Sequence, residues 1–188
     1  LLDSIIQKDK ELLIFLNNLG SEQWDSFWLF ITNQFNWIPL FVFVLYLVFK
    51  NFGLKKGMFL LVIIAVMIAF SDQFTNMIRG IFERLRPNND DTVNHLLRKR
   101  LINPQSFSFT SGHATTSTVF AVFVYQLFKN VFPKYIKLIF LFPIVFAYSR
   151  IYLGVHFPID ITVGAINGTI IGYAFFKLYS YLSNKIFT

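Results

Sequence analysis

Residues 26–49, 57–82, 110–128, 134–153 and 158–183 form five apolar stretches, and in the last four the polar residues crowd toward one end. Each approaches the ~20 residues that a helix needs to cross a bilayer. None is a clean run. The first carries Asn33, Gln34, Asn36 and Pro39 in its middle, which predicts a broken or kinked helix. The second is apolar through Phe70 and then takes in Ser71, Asp72, Gln73, Thr75, Asn76 and Arg79. Polar groups at that depth are costly against lipid, so they are expected to face a bundle interior or a water-filled cavity. The expected fold is all-α: an integral membrane helical bundle of about five transmembrane helices, forming one domain over residues 1–188.

Composition agrees. Charged residues make up 14% of the chain and hydrophobic residues 55%, whereas a soluble domain carries about 25% charged residues. The net charge of +7 suits anionic head groups or an anionic substrate, and membrane lipids are the expected surroundings. No basic stripe with interleaved aromatics stands clear of the apolar runs, so no nucleic-acid partner is expected. Without cysteine, disulfides and thiolate metal sites are excluded. At the N-terminus, Ile5, Ile6, Leu12, Leu13, Phe15, Leu16 and Leu19 recur at helical spacing among Asp3, Lys8, Asp9, Lys10 and Glu11. Residues 1–20 therefore read as an interfacial amphipathic helix and not as a signal peptide.

Counting crossings decides which polar ends can meet. The second stretch exits at Arg86, the loop 88–107 leads into the third, and the fourth returns to end at Arg150. These polar ends open on one face. The opposite face holds Lys50, Lys55, Lys56, Lys129, Lys134, Lys137 and Lys185 with no acid. The positive-inside rule then places the lysine face in the cytoplasm of a bacterial-type inner membrane and the polar face in the periplasm or exterior.

Three groups of residues converge there. Arg79 and Arg86 are two helical turns apart, so on a continuous helix they point the same way, and Pro87 stops that helix. Facing one cavity, they call for an anion between them. Asp72 is expected to pair with Arg79, and Glu83 and Arg84 to be solvated. Thr110 or Ser111 can cap the helix that follows, and Gly112 lets a ligand approach its exposed N–H groups, which makes a phosphate cradle. His113, in the first turn, is placed to act as a general acid. Arg150 offers a planar fork to phosphate oxygens. Asp160, four residues beyond His156, can hold the imidazole Nδ1 hydrogen and leave Nε2 free as nucleophile or base. Taken singly, each of these also fits an interfacial anchor or a plain cap; their meeting on one face favours a site.

The sequence resembles the type 2 phosphatidic acid phosphatase family, whose signatures run K-x6-R-P, P-S-G-H and S-R-x5-H-x3-D. Here they read Arg79-x6-Arg86-Pro87, Thr110-Ser111-Gly112-His113 and Ser149-Arg150-x5-His156-x3-Asp160. The third is complete; Arg79 replaces a lysine and Thr110 a proline. The resemblance implies a membrane-bound, metal-independent phosphatase without cofactors. It assigns His156 as the nucleophile, Asp160 as its orienting group and His113 as the acid that later activates water. Arg79, Arg86, Ser111, Gly112 and Arg150 would hold the phosphate. The implied substrate is a lipid phosphate, with undecaprenyl diphosphate, phosphatidylglycerol phosphate and lipid A 1-phosphate as candidates, and the three arginines, which could serve a diphosphate, put undecaprenyl diphosphate first. A vanadate-dependent haloperoxidase is a competing reading, opposed by the apolar spans, and a non-catalytic lipid-binding protein another, opposed by the retained histidines and Asp160. Within 88–107, His95, Leu96, Leu97, Arg98, Lys99 and Arg100 could meet a head group or form a solvated cluster.

Overall fold

Chains that place long apolar runs against lipid must satisfy their backbone groups internally. In the computed structural model, which describes residues 1–98 and 101–187, all regular structure among the described residues is helical. The α-helices are α1 (Leu2–Asn18), α2 (Glu22–Thr32), α3 (Ile38–Phe82), α4 (Gly112–Phe128), α5 (Leu141–Tyr152) and α6 (Pro158–Phe187). The stretches Gln34–Asn89 and Pro158–Phe187 contain helices long and apolar enough to cross a membrane, with mean hydropathies of 2.1 and 1.4.

The first apolar stretch breaks where its polar residues lie. Asn33 leaves helical geometry and its side chain accepts the Phe35 N–H at 3.1 Å, starting the 3-10 turn Gln34–Trp37. The loose carbonyls at the end of α2 are taken by Asn36 Nδ2 on Phe30 O and Trp37 Nε1 on Ile31 O. Pro39 falls in the first turn of α3, where a missing N–H costs nothing.

Within α3, Gly53 has φ 72° and ψ 177°, and the chain reverses there. On a straight helix Phe49 and Gly57 would stand about 12 Å apart, yet a Cβ on Gly57 would lie 2.6 Å from the Phe49 ring. Contacts with α4 give the same answer. Phe52 meets Phe128 and Phe41 meets Phe120, while Ser71 reaches Thr116, so the two halves of α3 climb α4 in opposite chain directions. The expected loop 50–56 is thus a turn at a single glycine, a residue that tolerates positive φ.

α4 is buried on nearly every side, as a central helix must be. It packs most closely on α6, where Gly164, Gly168 and Gly172 repeat every four residues. A Cβ on any of them would meet α4 backbone oxygens, those of Ser111, Thr115 and Val119, at 2.9, 2.5 and 2.6 Å. Small residues at this spacing bring two helix backbones together. Outward rows such as Val42, Tyr46, Met58, Val62, Val66, Ile166 and Ile170 are exposed and apolar, the surface of a membrane protein.

α1 is amphipathic with an unusual polarity. Its outward residues include Leu2, Ile5, Ile6, Leu12 and Phe15, and its buried ones are Asp9, Leu13 and Asn17. Asn17 Nδ2 donates to the final carbonyls of α5, Tyr152 O at 2.7 Å and Ile151 O at 3.3 Å, and so pins α1 to the end of the bundle where the polar residues gather.

Candidate active site

Four helix termini meet at that end: the close of α3, the start of α4, the close of α5 and the start of α6. α3 stops at Phe82, with Glu83 in the left-handed region and its N–H on Arg79 O. Arg79 and Arg86 therefore do not share a continuous helix, as their spacing suggests. Arg86 lies in extended backbone before Pro87 and is carried back to the same site. All three of its guanidinium nitrogens are engaged. Nε and Nη2 donate to Ser106 O and Oγ at 2.7 and 2.9 Å, and Nη1 donates to Val155 O at 3.0 Å and stands 2.9 Å from His156 Nε2. Burial, reinforced by the charge of Arg79, lowers its pKa to about 10. Arg79 is anchored by Nε on Thr110 O at 3.1 Å, and its Nη2 lies 3.0 Å from where a Cβ on Gly112 would be. Any side chain at Gly112 would press on that guanidinium.

The start of α4 is capped by Ser111, whose hydroxyl accepts the Ala114 N–H. Its own N–H donates to Asp160 O at 3.0 Å, which locks α4 to the first turn of α6. His113 stands in the first turn of α4 with its ring stacked on Phe146, centroids 4.7 Å apart. On α5, Arg150 is buried; Nη1 donates to Thr32 Oγ1 at 2.5 Å, and Nε has no partner. Thr110 Oγ1 is likewise buried and unpartnered.

Between α5 and α6 the chain turns at Gly154, φ 63°, and presents His156 fully buried. Asp160 is the third residue of α6 and reaches back to accept the Phe157 N–H at 2.9 Å, an acid doing what a capping-box glutamate does. The same oxygen stands 3.4 Å from His156 Nδ1 without hydrogen-bond geometry, so Nδ1, like Arg150 Nε and Thr110 Oγ1, is buried without a hydrogen-bond partner. Arg86 Nη1 can only donate, so Nε2 at 2.9 Å carries the lone pair and Nδ1 the proton. Burial, then the charges of Arg86, Arg150 and Arg79, hold the His156 pKa well below the ordinary histidine value, so the ring is neutral.

Every residue expected at the site is thus brought to one end of the bundle. Besides the helix break between Arg79 and Arg86, three expectations change. Arg84 is not solvated: it forms ion pairs with Asp160 at 2.8 Å and Asp9 at 2.7 Å. Asp72 reaches Arg79 through Asn76, whose Nδ2 donates to Asp72 Oδ2 and whose Oδ1 accepts from Arg79 Nη1. In the loop, Arg98 is committed to Asp25 at 3.1 Å and to the Tyr152 ring, beside a cavity of about 220 Å³ lined also by Asn88, Asn94 and Leu97; Lys99 and Arg100 lie outside the described residues. Sequence reasoning missed Thr32, Ser106 and Ser108, the last donating to Arg84 O and Leu85 O. Only the break at Asn33 hinted that Thr32 would end a helix.

Known proteins resemble this chain in sequence and in fold. The profile described as PAP2 superfamily matches residues 56–184. A lipid A 4'-phosphatase of Bacteroides thetaiotaomicron is 33% identical over 184 residues, covering 95% of this chain and 80% of the relative. An undecaprenyl-diphosphatase of Sulfolobus acidocaldarius is 29% identical over 86% of this chain and 66% of its own. In fold, the chain is similar to the crystal structure of a transmembrane PAP2-type phosphatidylglycerolphosphate phosphatase from Bacillus subtilis, with a TM-score of 0.69 at 19% identity over 97% of this chain and 88% of that one. Its three motifs gathered at one end of a helical bundle, and matched by the family profile from the second half of α3 to near the end of α6, this chain belongs to the PAP2 superfamily.

Proposed function

We propose that the chain hydrolyses a lipid phosphate through a phosphohistidine on His156. The observation that carries this reading is the surroundings of His156 Nε2. It bears a lone pair and faces Arg86 at 2.9 Å, with Asp160 on the far side of the ring 3.4 Å from Nδ1 and Arg79 and Arg150 close enough to influence it. Phosphate oxygens entering there would draw the three guanidiniums and the N–H groups of Gly112 and its neighbours, and Arg86 would pass from Nε2 to an oxygen. Nε2 then attacks phosphorus as the bond to the lipid oxygen breaks, and His113, which takes up a proton once the phosphate's negative charge offsets the arginines around it, gives that proton to the leaving oxygen. Neutral His113 next takes a proton from water, whose oxygen attacks the phosphohistidine, and the P–N bond breaks to release phosphate and restore His156. The arginines stabilise the charge that develops on the equatorial oxygens in both steps.

The substrate proposed first is a phosphate on a lipid A-type glycolipid, because the lipid A 4'-phosphatase is the more similar of the two named relatives and matches along nearly the whole chain. Undecaprenyl diphosphate comes second, reversing the order suggested by three arginines alone. About five membrane crossings, α1 lying in the interface and a site on the periplasmic side complete the reading, which rests on the lysines of the opposite face. Phosphate release by the purified protein from lipid A, undecaprenyl diphosphate, phosphatidylglycerol phosphate and a soluble sugar phosphate tests it. Release from lipid A above the others is expected; turnover of the soluble ester alone would refute it.

A further inference from the structure

Asp160 is held on both sides. One oxygen faces His156 Nδ1 and accepts the Phe157 N–H; the other accepts Arg84 Nη1 at 2.8 Å. The Arg84 guanidinium lies 3.8 Å from the centroid of the Phe157 ring, and its Nη2 continues to Asp9 Oδ2 at 2.7 Å. The remaining oxygen of Asp9 accepts the Ile159 N–H at 2.9 Å, one residue before Asp160. A ring is closed between α1, the segment after α3, and α6. Both carboxylates are inaccessible, with side chains 1% and 0% exposed.

Burying an aspartate on α1 demands a reason, since an apolar residue would pack at lower cost. Charge supplies one. Arg84 alone would neutralise Asp160 and weaken its hold on the histidine, whereas without Arg84 the carboxylate would be free to swing. One cation between two carboxylates leaves a net charge of about −1 behind His156, opposite the guanidiniums of Arg79, Arg86 and Arg150. We propose that Asp9 and Arg84 are positioning residues for phosphoryl transfer. Arg84 fixes the plane of Asp160, and Asp9 takes up part of the Arg84 charge so that Asp160 keeps its own toward His156. The amphipathic helix α1 thereby becomes part of the catalytic apparatus. This rests on the reading of His156 as the nucleophile. The Asp9 carboxyl agrees: burial pushes its pKa up, opposed by Arg84 and the Ile159 N–H, as for an acid held in place by those two donors.

Asp9→Asn keeps the size of the side chain and removes the charge. The groups that act on His156 are Asp160 on α6 with Arg84 and Asp9 behind it, Arg86 after α3, Arg79 on α3, Arg150 on α5 and His113 on α4. With one negative charge gone, the protonated ring is less favoured. The expected result is a kcat lower by about ten- to a hundredfold at little-changed KM, with the acidic limb of the kcat profile displaced to lower pH and returned by Asp9→Glu. Titration of the substrate cancels in the comparison with wild type. A merely structural α1 would lower the melting temperature and leave that limb in place. If Asp9→Asn does not fold, Arg84→Lys, which keeps the charge but cannot fork two carboxylates, is expected to show the same kcat loss at unchanged KM. A folded Asp9→Asn with wild-type kcat and pH profile, or Arg84→Lys with wild-type kcat, overturns the inference. His156→Ala run alongside separates the failures: turnover by that variant sinks the reading of the site itself, while a dead His156→Ala beside a normal Asp9→Asn sinks only the role of α1.

Discussion

Burial and three surrounding guanidiniums hold His156 neutral at pH values where a free histidine is half protonated. The sign follows: a depressed pKa keeps the lone pair on Nε2 available as pH falls, so loss of activity from His156 protonation is expected only well below pH 6.5. A kcat profile that falls through pH 6.5, on a substrate whose phosphate does not titrate there, would oppose this. His113→Ala is expected to slow both steps, and a lipid phosphate analogue with a phenolate leaving group should recover the first step only, seen as a burst of released phenol. Thr32 accepts from Arg150 Nη1. Thr32→Val leaves that donor unanswered, and a fall in kcat/KM of about 1 kcal/mol, roughly fivefold, is expected. Much of this residue-level chemistry was legible in the sequence, because Ser149 to Asp160 packs arginine, histidine and aspartate into one turn and its neighbours. Arg84 was not. Nothing near it in sequence distinguishes it from a solvated arginine, and its partners lie 75 and 76 residues away.

At the scale of elements, the site depends on how closely α4 and α6 approach. Gly168 leaves room for the Thr115 carbonyl, 2.5 Å from where a Cβ would stand. Gly168→Leu is expected to push the helices apart, with a loss of about 1–3 kcal/mol of stability, read as a lower melting temperature in detergent. Activity should fall with it, since the same pair of helices carries the Ser111 N–H bond to Asp160 O. The helices themselves were readable from apolar runs, and the break of the first from Asn33 and Pro39. The tight reversal at Gly53 was not, because a lone glycine among lysines and phenylalanines suits a short loop equally well. Nor was the inward face of α1 legible: most of its leucines and isoleucines face outward, and nothing in the sequence marked Asp9 and Asn17 as the residues that point in.

For the whole molecule, the proposed periplasmic site requires that the two ends of the bundle lie on opposite sides of a membrane. The chain has no cysteine, so single cysteines report cleanly. In intact cells an impermeant thiol reagent should label Asp91→Cys, on the loop beside the site, and miss Lys55→Cys, next to the Gly53 turn. The reverse pattern would put the site in the cytoplasm. Convergence of the motifs at one end was legible from counting crossings, since it depends only on parity. The loop 88–107 was not, because its contacts, such as Ser106 with Arg86 and Arg98 with Asp25, join segments far apart in sequence. The account turns on a covalent bond to His156. Its most direct test is to quench the His113→Ala protein during turnover of a phenolate-leaving lipid phosphate analogue, under alkaline denaturing conditions, and locate the phosphoryl group by mass spectrometry. The account predicts that group on His156; a phosphoryl group on any other side chain would contradict it.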